Sequence, residues 1–194
     1  MGKLAFYYGT MGSAKTANAL ITRYQYIQNG RHGWLIKPAT DTRDDRDGKT
    51  IIRSRIGLEA EARAIQAEDD ILNIFTICWG TNKPDVIICD EAQFFSATQI
   101  EQLRDIATFM DIDVLCFGLK TNFITHSFAG SARLFELADE LIKLDNICDC
   151  GQSAVINARL DKSGNIITTG ENILLGGDSQ YKPMCWKCFR QKTR

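Results

Sequence analysis

The residues whose types and spacing point most clearly to chemistry lie near the amino end, from Gly9 to Thr16. This stretch, Gly-Thr-Met-Gly-Ser-Ala-Lys-Thr, follows a short apolar run and precedes a segment with helical character from about Lys15. A strand, a loop of small residues, a Lys-Thr pair and a helix are the parts of a phosphate-binding P-loop. In such a loop the backbone N–H groups point at phosphate oxygens, and the amino end of the helix adds positive potential.

In this interpretation Lys15 contacts the β- and γ-phosphates of a nucleotide, and the hydroxyl of Thr16 binds Mg²⁺. Ala14 departs from the pattern, because a glycine is expected at its position. The alternative is an ordinary turn of small residues that leads into a helix. We favour nucleotide binding, because the parts occur together and in the right order.

A second candidate site is the pair Asp90 and Glu91, which directly follows the apolar run Val86 to Cys89. A carboxylate at the end of a buried strand beside a P-loop is well placed to bind Mg²⁺, and we assign that role to Asp90. If the strand continues, Glu91 points the other way, toward the phosphoryl acceptor, where it would act as a general base. Two acids at the start of a helix would give the same pattern, since the helix dipole favours them.

A charged segment runs from Asp41 to Lys49, with seven charged residues in nine positions, and is predicted to be a surface loop. Arg43 would stabilise charge on a transferring phosphoryl group, and Asp41 would help to position the metal ion. Solubility alone explains such residues equally well. The sequence leaves these two explanations open.

Four of the seven cysteines form two close pairs, and the pairs bracket a hairpin-like region. Such pairs can close a tetrahedral site, so we predict a structural zinc ion held by Cys148, Cys150, Cys185 and Cys188. The other three, Cys78, Cys89 and Cys116, lie in apolar runs and are predicted to be buried free thiols. An odd number of cysteines without an export signal favours a reducing compartment, so we expect a cytoplasmic protein.

Residues 1–143 alternate between short apolar runs, typical of strands buried on both faces, and stretches with helical periodicity. Helical stripes are predicted at Ile100, Leu103, Ala107 and Met110, and at Leu134, Leu137, Ala138 and Leu141. The first helix is predicted to stop near Gly30. The fold class is therefore α/β, a P-loop domain with a mostly parallel sheet covered by helices.

Residues 144–194 are predicted to form a small β-rich domain that needs the zinc ion for stability. Its hairpin would pair Ala154 to Leu160 with Ile166 to Thr169 around a turn at Lys162 to Asn165. The formal net charge of −1 argues against nucleic acid as a partner. The apolar runs are too short to span a membrane.

Taken in order along the chain, these motifs resemble the type II thymidine kinases, and the resemblance covers nearly the whole sequence. The matching segments are Met11 with Ser13-x-Lys15-Thr16, Lys37-Pro38-Ala39-x-Asp41-x-Arg43, Ser54-Arg55-x-Gly57, Asp90-Glu91-x-Gln93-Phe94, Gly118-Leu119-x-Thr121-x-Phe123, Ile147-Cys148-x-Cys150-Gly151, Leu175-Gly176-Gly177 leading to Tyr181, and Cys185-x-x-Cys188. Bacterial members share the Cys-x-Cys spacing of the first cysteine pair.

The resemblance implies a cytosolic homotetramer whose subunits have a RecA-like domain and a small zinc-bearing domain. It implies transfer of the γ-phosphoryl of ATP, with Mg²⁺, to the 5′-hydroxyl of thymidine. The acid that matches Glu91 takes the hydroxyl proton, and the arginine that matches Arg43 lies near the transferring group. The implied magnesium ligands are Thr16, Asp90 and Asp41.

The resemblance also implies two sets of binding residues. Those for ATP are Gly9, Thr10, Met11, Gly12, Ser13, Ala14, Lys15, Thr16, Asp90, Glu91, Ala92 and Gln93. Those around the thymine and sugar are Met11, Phe94, Leu119, Phe123, Phe128 and Tyr181. A loop from about Glu171 to Tyr181, which includes Gly176 and Gly177, would cover the base mainly through backbone atoms.

Three residues depart from the family pattern, namely Ala14, Asn122 and Ile124. Ala14 adds a methyl group where the backbone approaches phosphate, and the other two replace an acid and a basic residue beside Phe123. Two alternatives for the function stay open, the first because of Asp90-Glu91-Ala92 and the second because of Ala14. One is a P-loop ATPase that acts on nucleic acid, and the other is a non-catalytic nucleotide and zinc module.

Overall fold

The computed structural model describes residues 1–80, 82–170 and 180–193. In chain order its strands and α-helices are β1 (Leu4–Gly9), α1 (Lys15–Gln28), β2 (Gly33–Pro38), β3 (Ile51–Arg53), β4 (Glu59–Glu61), β5 (Arg63–Ile65), α2 (Ile71–Trp79), β6 (Val86–Cys89), α3 (Ala97–Met110), β7 (Asp113–Leu119), α4 (Ala129–Leu137), β8 (Glu140–Lys143), β9 (Ile156–Leu160), β10 (Ile166–Ile167), β11 (Tyr181–Met184) and α5 (Trp186–Lys192). A short 3₁₀ turn, Ala92–Phe94, follows β6.

The main sheet has six strands in the order β5-β2-β6-β7-β1-β8, and every neighbouring pair is parallel. This confirms the predicted α/β class with a parallel sheet. The P-loop follows β1 and the acid pair follows β6, with β7 between these two strands. Parallel strands end at one edge of a sheet, so the two motifs lie at the same edge.

The sheet is covered on both faces, because side chains alternate between them. Ala5, Leu35, Ile88 and Leu115 pack with Ala19 and Leu20 of α1 and Ile52 of β3. Phe6, Ile36, Ile87 and Cys116 pack with residues of α2, α3 and α4. The strand runs are therefore continuously apolar, as the sequence indicates for doubly covered strands.

The first helix ends where the sequence predicts. Gly30 has a left-handed φ of 70°. The N–H of Gly30 donates to the carbonyl oxygen of Ile27 at 3.0 Å. The N–H of Arg31 donates to the carbonyl oxygen of Tyr26, also at 3.0 Å. These two bonds form a Schellman motif, in which glycine is favoured because it has no Cβ to clash.

Two predictions from apolar patterns are wrong. Ala138 and Leu141 do not belong to a helix, because α4 ends at Leu137, Ala138 has an extended backbone, and Leu141 lies in the edge strand β8. With four residues, β8 is too short for its period to be separated from that of the preceding helix. Cys78 is exposed near the end of α2, whereas Cys89 and Cys116 are buried as predicted.

Beyond residue 143 lies a three-stranded antiparallel sheet in the order β10-β9-β11. It has an apolar cluster of its own that includes Ile156, Ala158, Met184 and Phe189. The predicted hairpin is confirmed, since β9 pairs with β10. The domain boundary at residue 143 stays a prediction. Among the helices of the described ranges, none is both long and apolar enough to cross a membrane.

Candidate active site

A cavity of about 590 Å³ opens at the carboxyl edge of the main sheet. It is lined by the P-loop, the loop after β2, the β3–β4 turn, the residues after β6 and β7, and Asn157 and Tyr181 of the small module. Two of the lining segments are the motifs that sequence analysis singled out. The topology therefore brings the P-loop and the acid pair to one concave site, which is where open α/β sheets bind ligands.

The P-loop is tightly wound. Gly12 and Ala14 both have left-handed backbones, with φ of 83° and 60°. A Cβ on Gly9 would lie 2.3 Å from the Oγ of Ser13, so only glycine fits there. Ala14 takes the left-handed conformation directly before α1 and lines the cavity. A non-glycine residue pays a steric cost of about 1–2 kcal/mol in this conformation.

The lysine of the P-loop is folded back on its own loop. The Nζ of Lys15 donates to the carbonyl oxygen of Thr10 at 2.8 Å. Burial lowers the pKa of Lys15, and the carboxylates of Glu91 and Asp90 oppose that shift. A buried ammonium group at this position is well suited to bind an anion.

The donor set of the loop fits a phosphate group. Within the described residues, the hydroxyl Oγ of Ser13 is buried and has no hydrogen-bond partner. A buried hydroxyl without a partner is costly in a protein interior. Oxygens of a bound phosphate would satisfy this donor and the ammonium of Lys15 together.

Asp90 lines the cavity and is 4% exposed. Burial and the neighbouring charge of Glu91 raise the pKa of Asp90 to about 7, although a hydrogen bond with Thr16 and the charge of Lys15 oppose the shift. The hydroxyl of Thr16 and this carboxylate thus touch each other. A dication bound between them would favour the ionised form of Asp90.

Glu91 does not continue strand β6. The prediction that its side chain points away from that of Asp90, which assumed a continuing strand, is therefore wrong. Its backbone is left-handed, with φ 50° and ψ 37°, at the start of the 3₁₀ turn. The side chain therefore enters the same cavity as Asp90 instead of pointing away from it. Its two oxygens accept hydrogen bonds from Nη2 of Arg43 and from Nε2 of Gln93, each at 2.5 Å.

Arg43 bridges two carboxylates. Besides Glu91, it donates from Nε to Oδ1 of Asp41 at 2.7 Å and from Nη2 to Oδ2 at 3.2 Å. The guanidinium group lowers the pKa of Asp41, despite the opposing effect of burial. The start of the charged loop is thus ordered around the cavity and is not merely a solvated segment.

Two buried residues that sequence analysis gave no positioning role hold these groups in place. Lys37 is 1% exposed, and its Nζ lies 3.8 Å from Oδ2 of Asp41 and donates to Oδ1 of Asp45 at 2.9 Å. Gln93 is 2% exposed and accepts the N–H of Leu119 at 2.8 Å while it holds Glu91. Both belong to segments that match the family motifs, and Gln93 was assigned to ATP binding, but no sequence pattern indicates the contacts that they make.

The opposite wall of the cavity is apolar. Its residues include Met11, Phe94, Leu119, Phe123, Phe128 and Tyr181. The rings of Phe94 and Phe128 meet edge to face at 5.5 Å, and the guanidinium of Arg159 lies over the ring of Phe123 at 5.3 Å. Gly176 and Gly177 lie outside the described residues. Arg55 also lines the cavity, although the sequence suggested no role for it.

The four predicted cysteines come together in the small module. The sulfurs of Cys148, Cys150, Cys185 and Cys188 all lie within 4.8 Å of one another, so they could hold a metal ion. Backbone hydrogen bonds from Cys150 and Cys185 lower the pKa of Cys148 to about 6, whereas thiol hydrogen bonds with the same two residues raise the pKa of Cys188 to about 12. Four sulfurs this close are typical of a tetrahedral structural metal site.

A P-loop that shares one edge of a parallel sheet with an Asp-Glu pair, of which Asp90 is buried, defines a P-loop nucleotide-binding protein. Comparison with known proteins identifies the particular family. The profile of the thymidine kinase family matches residues 2–189. The chain therefore belongs to the thymidine kinase family, and the resemblance inferred from the motifs is confirmed.

Several relatives carry the same name. A thymidine kinase from Shewanella oneidensis is 37% identical over 191 residues, which cover 98% of each chain. One from Rhodopirellula baltica is 37% identical over 191 residues, covering 98% of this chain and 89% of the relative. One from Legionella pneumophila is 39% identical over 189 residues, covering 95% and 88%.

Proposed function

We propose that this chain transfers the γ-phosphoryl group of ATP to the 5′-hydroxyl of thymidine. Membership of the thymidine kinase family makes it a nucleoside kinase. The observation that carries the proposed chemistry is the position of Glu91, which shares one cavity with the P-loop and an apolar wall. A base, a phosphate site and a surface for a nucleobase are the three parts that such a transfer needs.

On the phosphate side, we assign triphosphate binding to residues 9–16. Lys15 would exchange its contact with the carbonyl of Thr10 for the phosphates, and Ser13 would donate its buried hydroxyl. Thr16 and Asp90 would hold Mg²⁺, whose charge offsets that of the phosphates. Asp41 has less support as a third ligand, because both of its oxygens accept hydrogen bonds from Arg43.

On the acceptor side, Glu91 would take the proton of the attacking hydroxyl as the new bond to phosphorus forms and ADP leaves. In the structure its carboxylate is paired with Arg43. We propose that Arg43 turns toward the phosphoryl group during transfer, where it stabilises the developing charge. Glu91 is then freed to accept a hydrogen bond from the incoming hydroxyl.

The apolar wall would hold the nucleoside. Rings such as Phe94 and Phe128 offer flat surfaces to a base, and Met11 and Tyr181 also line the pocket. We assign the thymine and sugar to this wall. The formal net charge of −1 favours the nucleoside kinase over an ATPase that acts on nucleic acid, since the latter would need a basic groove.

The cysteine cluster is proposed to hold one zinc ion. Four thiolates close the coordination sphere, so the ion would be structural and would leave no position for a substrate. Assembly as a homotetramer and location in the cytoplasm stay predictions from the sequence.

Phosphate transfer from radiolabelled ATP to a panel of nucleosides tests the proposal. We expect rapid, Mg²⁺-dependent labelling of thymidine, weaker labelling of other nucleosides, and little ATP hydrolysis without an acceptor. ATP hydrolysis that is stimulated by DNA and needs no nucleoside would favour the ATPase instead. No detectable ATP binding at millimolar concentration would favour a non-catalytic module.

A further inference from the structure

Two asparagines from the small module hold one residue of the P-loop. The Oδ1 of Asn157, in β9, accepts the N–H of Met11 at 2.7 Å. The Nδ2 of Asn146 donates to the carbonyl of Met11 at 2.9 Å and to the Oγ1 of Thr10 at 3.1 Å. Both polar backbone groups of Met11 are thus fixed by side chains more than 130 positions away in the sequence.

Asn157 is well suited to act as a rigid anchor. It is 4% exposed, and its Nδ2 reaches the carbonyl of Thr121, after β7, at 3.4 Å. One side chain therefore joins the P-loop, the small module and the loop after β7. An amide held on both sides loses little freedom when a ligand binds, so it can act as a preorganised support.

Asn146 approaches the loop from its other side. A Cβ added to Gly12 would lie 3.3 Å from its Nδ2, so the asparagine packs directly against the turn of the P-loop. The peptide between Met11 and Gly12 leads into the left-handed turn at Gly12. Holding the carbonyl of Met11 therefore sets the direction in which the following N–H groups point.

We infer that Asn146 and Asn157 are positioning residues, which act through Met11 to fix both the phosphate loop and the adjoining wall of the nucleoside pocket. This inference rests on the proposed function, because it concerns the same cavity. Met11 is the link between the two ligands, since it belongs to the loop and also lines the cavity.

The small module in turn fixes the two asparagines. The carbonyl of Asn146 accepts the N–H of Ala154 at 2.8 Å, and Asn146 lies two positions before Cys148. Asn157 is paired with Pro183 of β11, two positions before Cys185. Asn146 therefore lies close in sequence to the cysteine cluster, and Asn157 lies beside the strand that leads to it. The module thus supports the phosphate site as well as the base pocket.

Hydrogen exchange of the ligand-free protein tests the clamp without any assay of activity. In Asn157→Leu the Met11 amide loses its acceptor, so its exchange is expected to become about tenfold faster, as the loss of one hydrogen bond implies. In Asn157→Asp an acceptor for this N–H remains, so exchange at Met11 is expected to stay near the wild-type rate. Asn165→Leu, in the exposed hairpin turn of the same module, is the control and should leave the Met11 amide unchanged.

Kinetics then test whether the clamp matters for ligands. We expect Asn157→Leu and Asn146→Leu each to raise the KM for thymidine and for ATP about tenfold, with a smaller change in kcat. The double variant should raise KM by less than the product of the single effects, because both residues hold the same segment. Asn165→Leu should keep wild-type kinetics even if it lowers Tm.

Three results would overturn the inference. The first is an unchanged exchange rate of the Met11 amide in Asn157→Leu. The second is faster exchange of this amide in Asn157→Leu without a change in KM. The third is a KM that changes in proportion to Tm in every variant, including the control Asn165→Leu. Asn146 is only half-buried, so its variant provides the test should Asn157→Leu fail to fold. If the wild-type protein phosphorylates no nucleoside, the proposed function fails, whereas exchange at Met11 and ATP affinity by calorimetry still test the clamp.

Discussion

The phosphate side of the cavity comes mainly from one continuous segment, residues 9–16, whereas the acceptor side is assembled from several separate segments. The first relies mainly on backbone groups and on glycines that let the chain turn. The second relies on single side chains, with Glu91 held between Arg43 and Gln93. A site made of backbone can tolerate a substitution that keeps its conformation, as Ala14 illustrates, although only glycine fits at Gly9. A site made of side chains should tolerate few.

The strongest test of this difference is the general base. In Glu91→Gln the amide can still accept a hydrogen bond from Arg43 but cannot take a proton, so the cavity should keep its shape. We expect kcat to fall by about 10²- to 10⁴-fold, with little change in the KM for ATP. Steady-state kinetics measure this, and Glu101→Gln on the surface of α3 is the control. Near-normal turnover would remove Glu91 from its role.

The metal site gives the next largest effect. Wild-type protein should contain about one zinc ion per chain by elemental analysis. Cys185→Ser removes one sulfur from the cluster, so the metal should be lost and the small module should unfold, because such modules need the metal for stability. The variant Cys78→Ser changes an exposed thiol outside the cluster and should keep the metal. Retention of zinc and activity in Cys185→Ser would contradict the ligand set.

A smaller effect is expected from the residue that supports the base. Gln93→Leu removes a hydrogen bond to the carboxylate of Glu91 and leaves the N–H of Leu119 without its acceptor. A hydrogen bond to a charged group contributes about 1.5–3 kcal/mol, so kcat should fall at least about tenfold while the KM for ATP stays similar. Gln102→Leu, which breaks a contact with the N–H of Ile71 far from the cavity, is the matched control. Equal losses of kcat in both variants would indicate a general loss of structure.

These contrasts also explain what the sequence could predict. The P-loop was predictable because its signal is local: small residues, Lys15 and Thr16 follow a strand within a few positions. The four cysteines were predictable because sulfur pairs in polar turns have few other uses. The parallel sheet followed from continuous apolar runs, as at Val86 to Cys89.

The acceptor side was only half predictable. Its residue types were recognised, but the contact of Arg43 with Glu91 joins residues 48 positions apart, and no local pattern encodes it. The left-handed backbone of Glu91 also reversed the direction that strand geometry predicts for its side chain. The same applies to Asn146 and Asn157, whose partners lie at the other end of the chain. Such contacts depend on topology, which periodicity does not specify.

Burial of Asp90 should cost stability in the free enzyme. Its pKa is raised to about 7, so the folded state prefers the protonated form. The protonated carboxyl group of Asp90 therefore favours the folded state at low pH. This stabilisation is lost as the pH rises from the ordinary pKa of an aspartate, 3.8, through about 7. We expect Asp90→Asn, measured without metal or nucleotide, to raise Tm by roughly 3 °C at pH 8 and by little near pH 4. An equal shift at both pH values would contradict an origin in the ionisation of this carboxyl group, and Asp105→Asn is a surface control.

The smallest effect concerns the backbone of the phosphate side. Ala14 is left-handed, with φ 60°, at a cost of about 1–2 kcal/mol. Ala14→Gly relieves that cost, but it also adds conformational freedom to the unfolded chain, which lowers stability by about 0.4–1 kcal/mol. We therefore expect the free energy of unfolding to rise by roughly 0.5 kcal/mol. Urea denaturation measures the free energy of unfolding, and Ala132→Gly, within α4, should instead destabilise by about 1 kcal/mol. The KM for ATP should stay the same or fall, because the methyl group lines the cavity. A loss of stability in Ala14→Gly equal to that of the control would mean that this loop carries no strain, and the backbone side would then be as well optimised as the side-chain side.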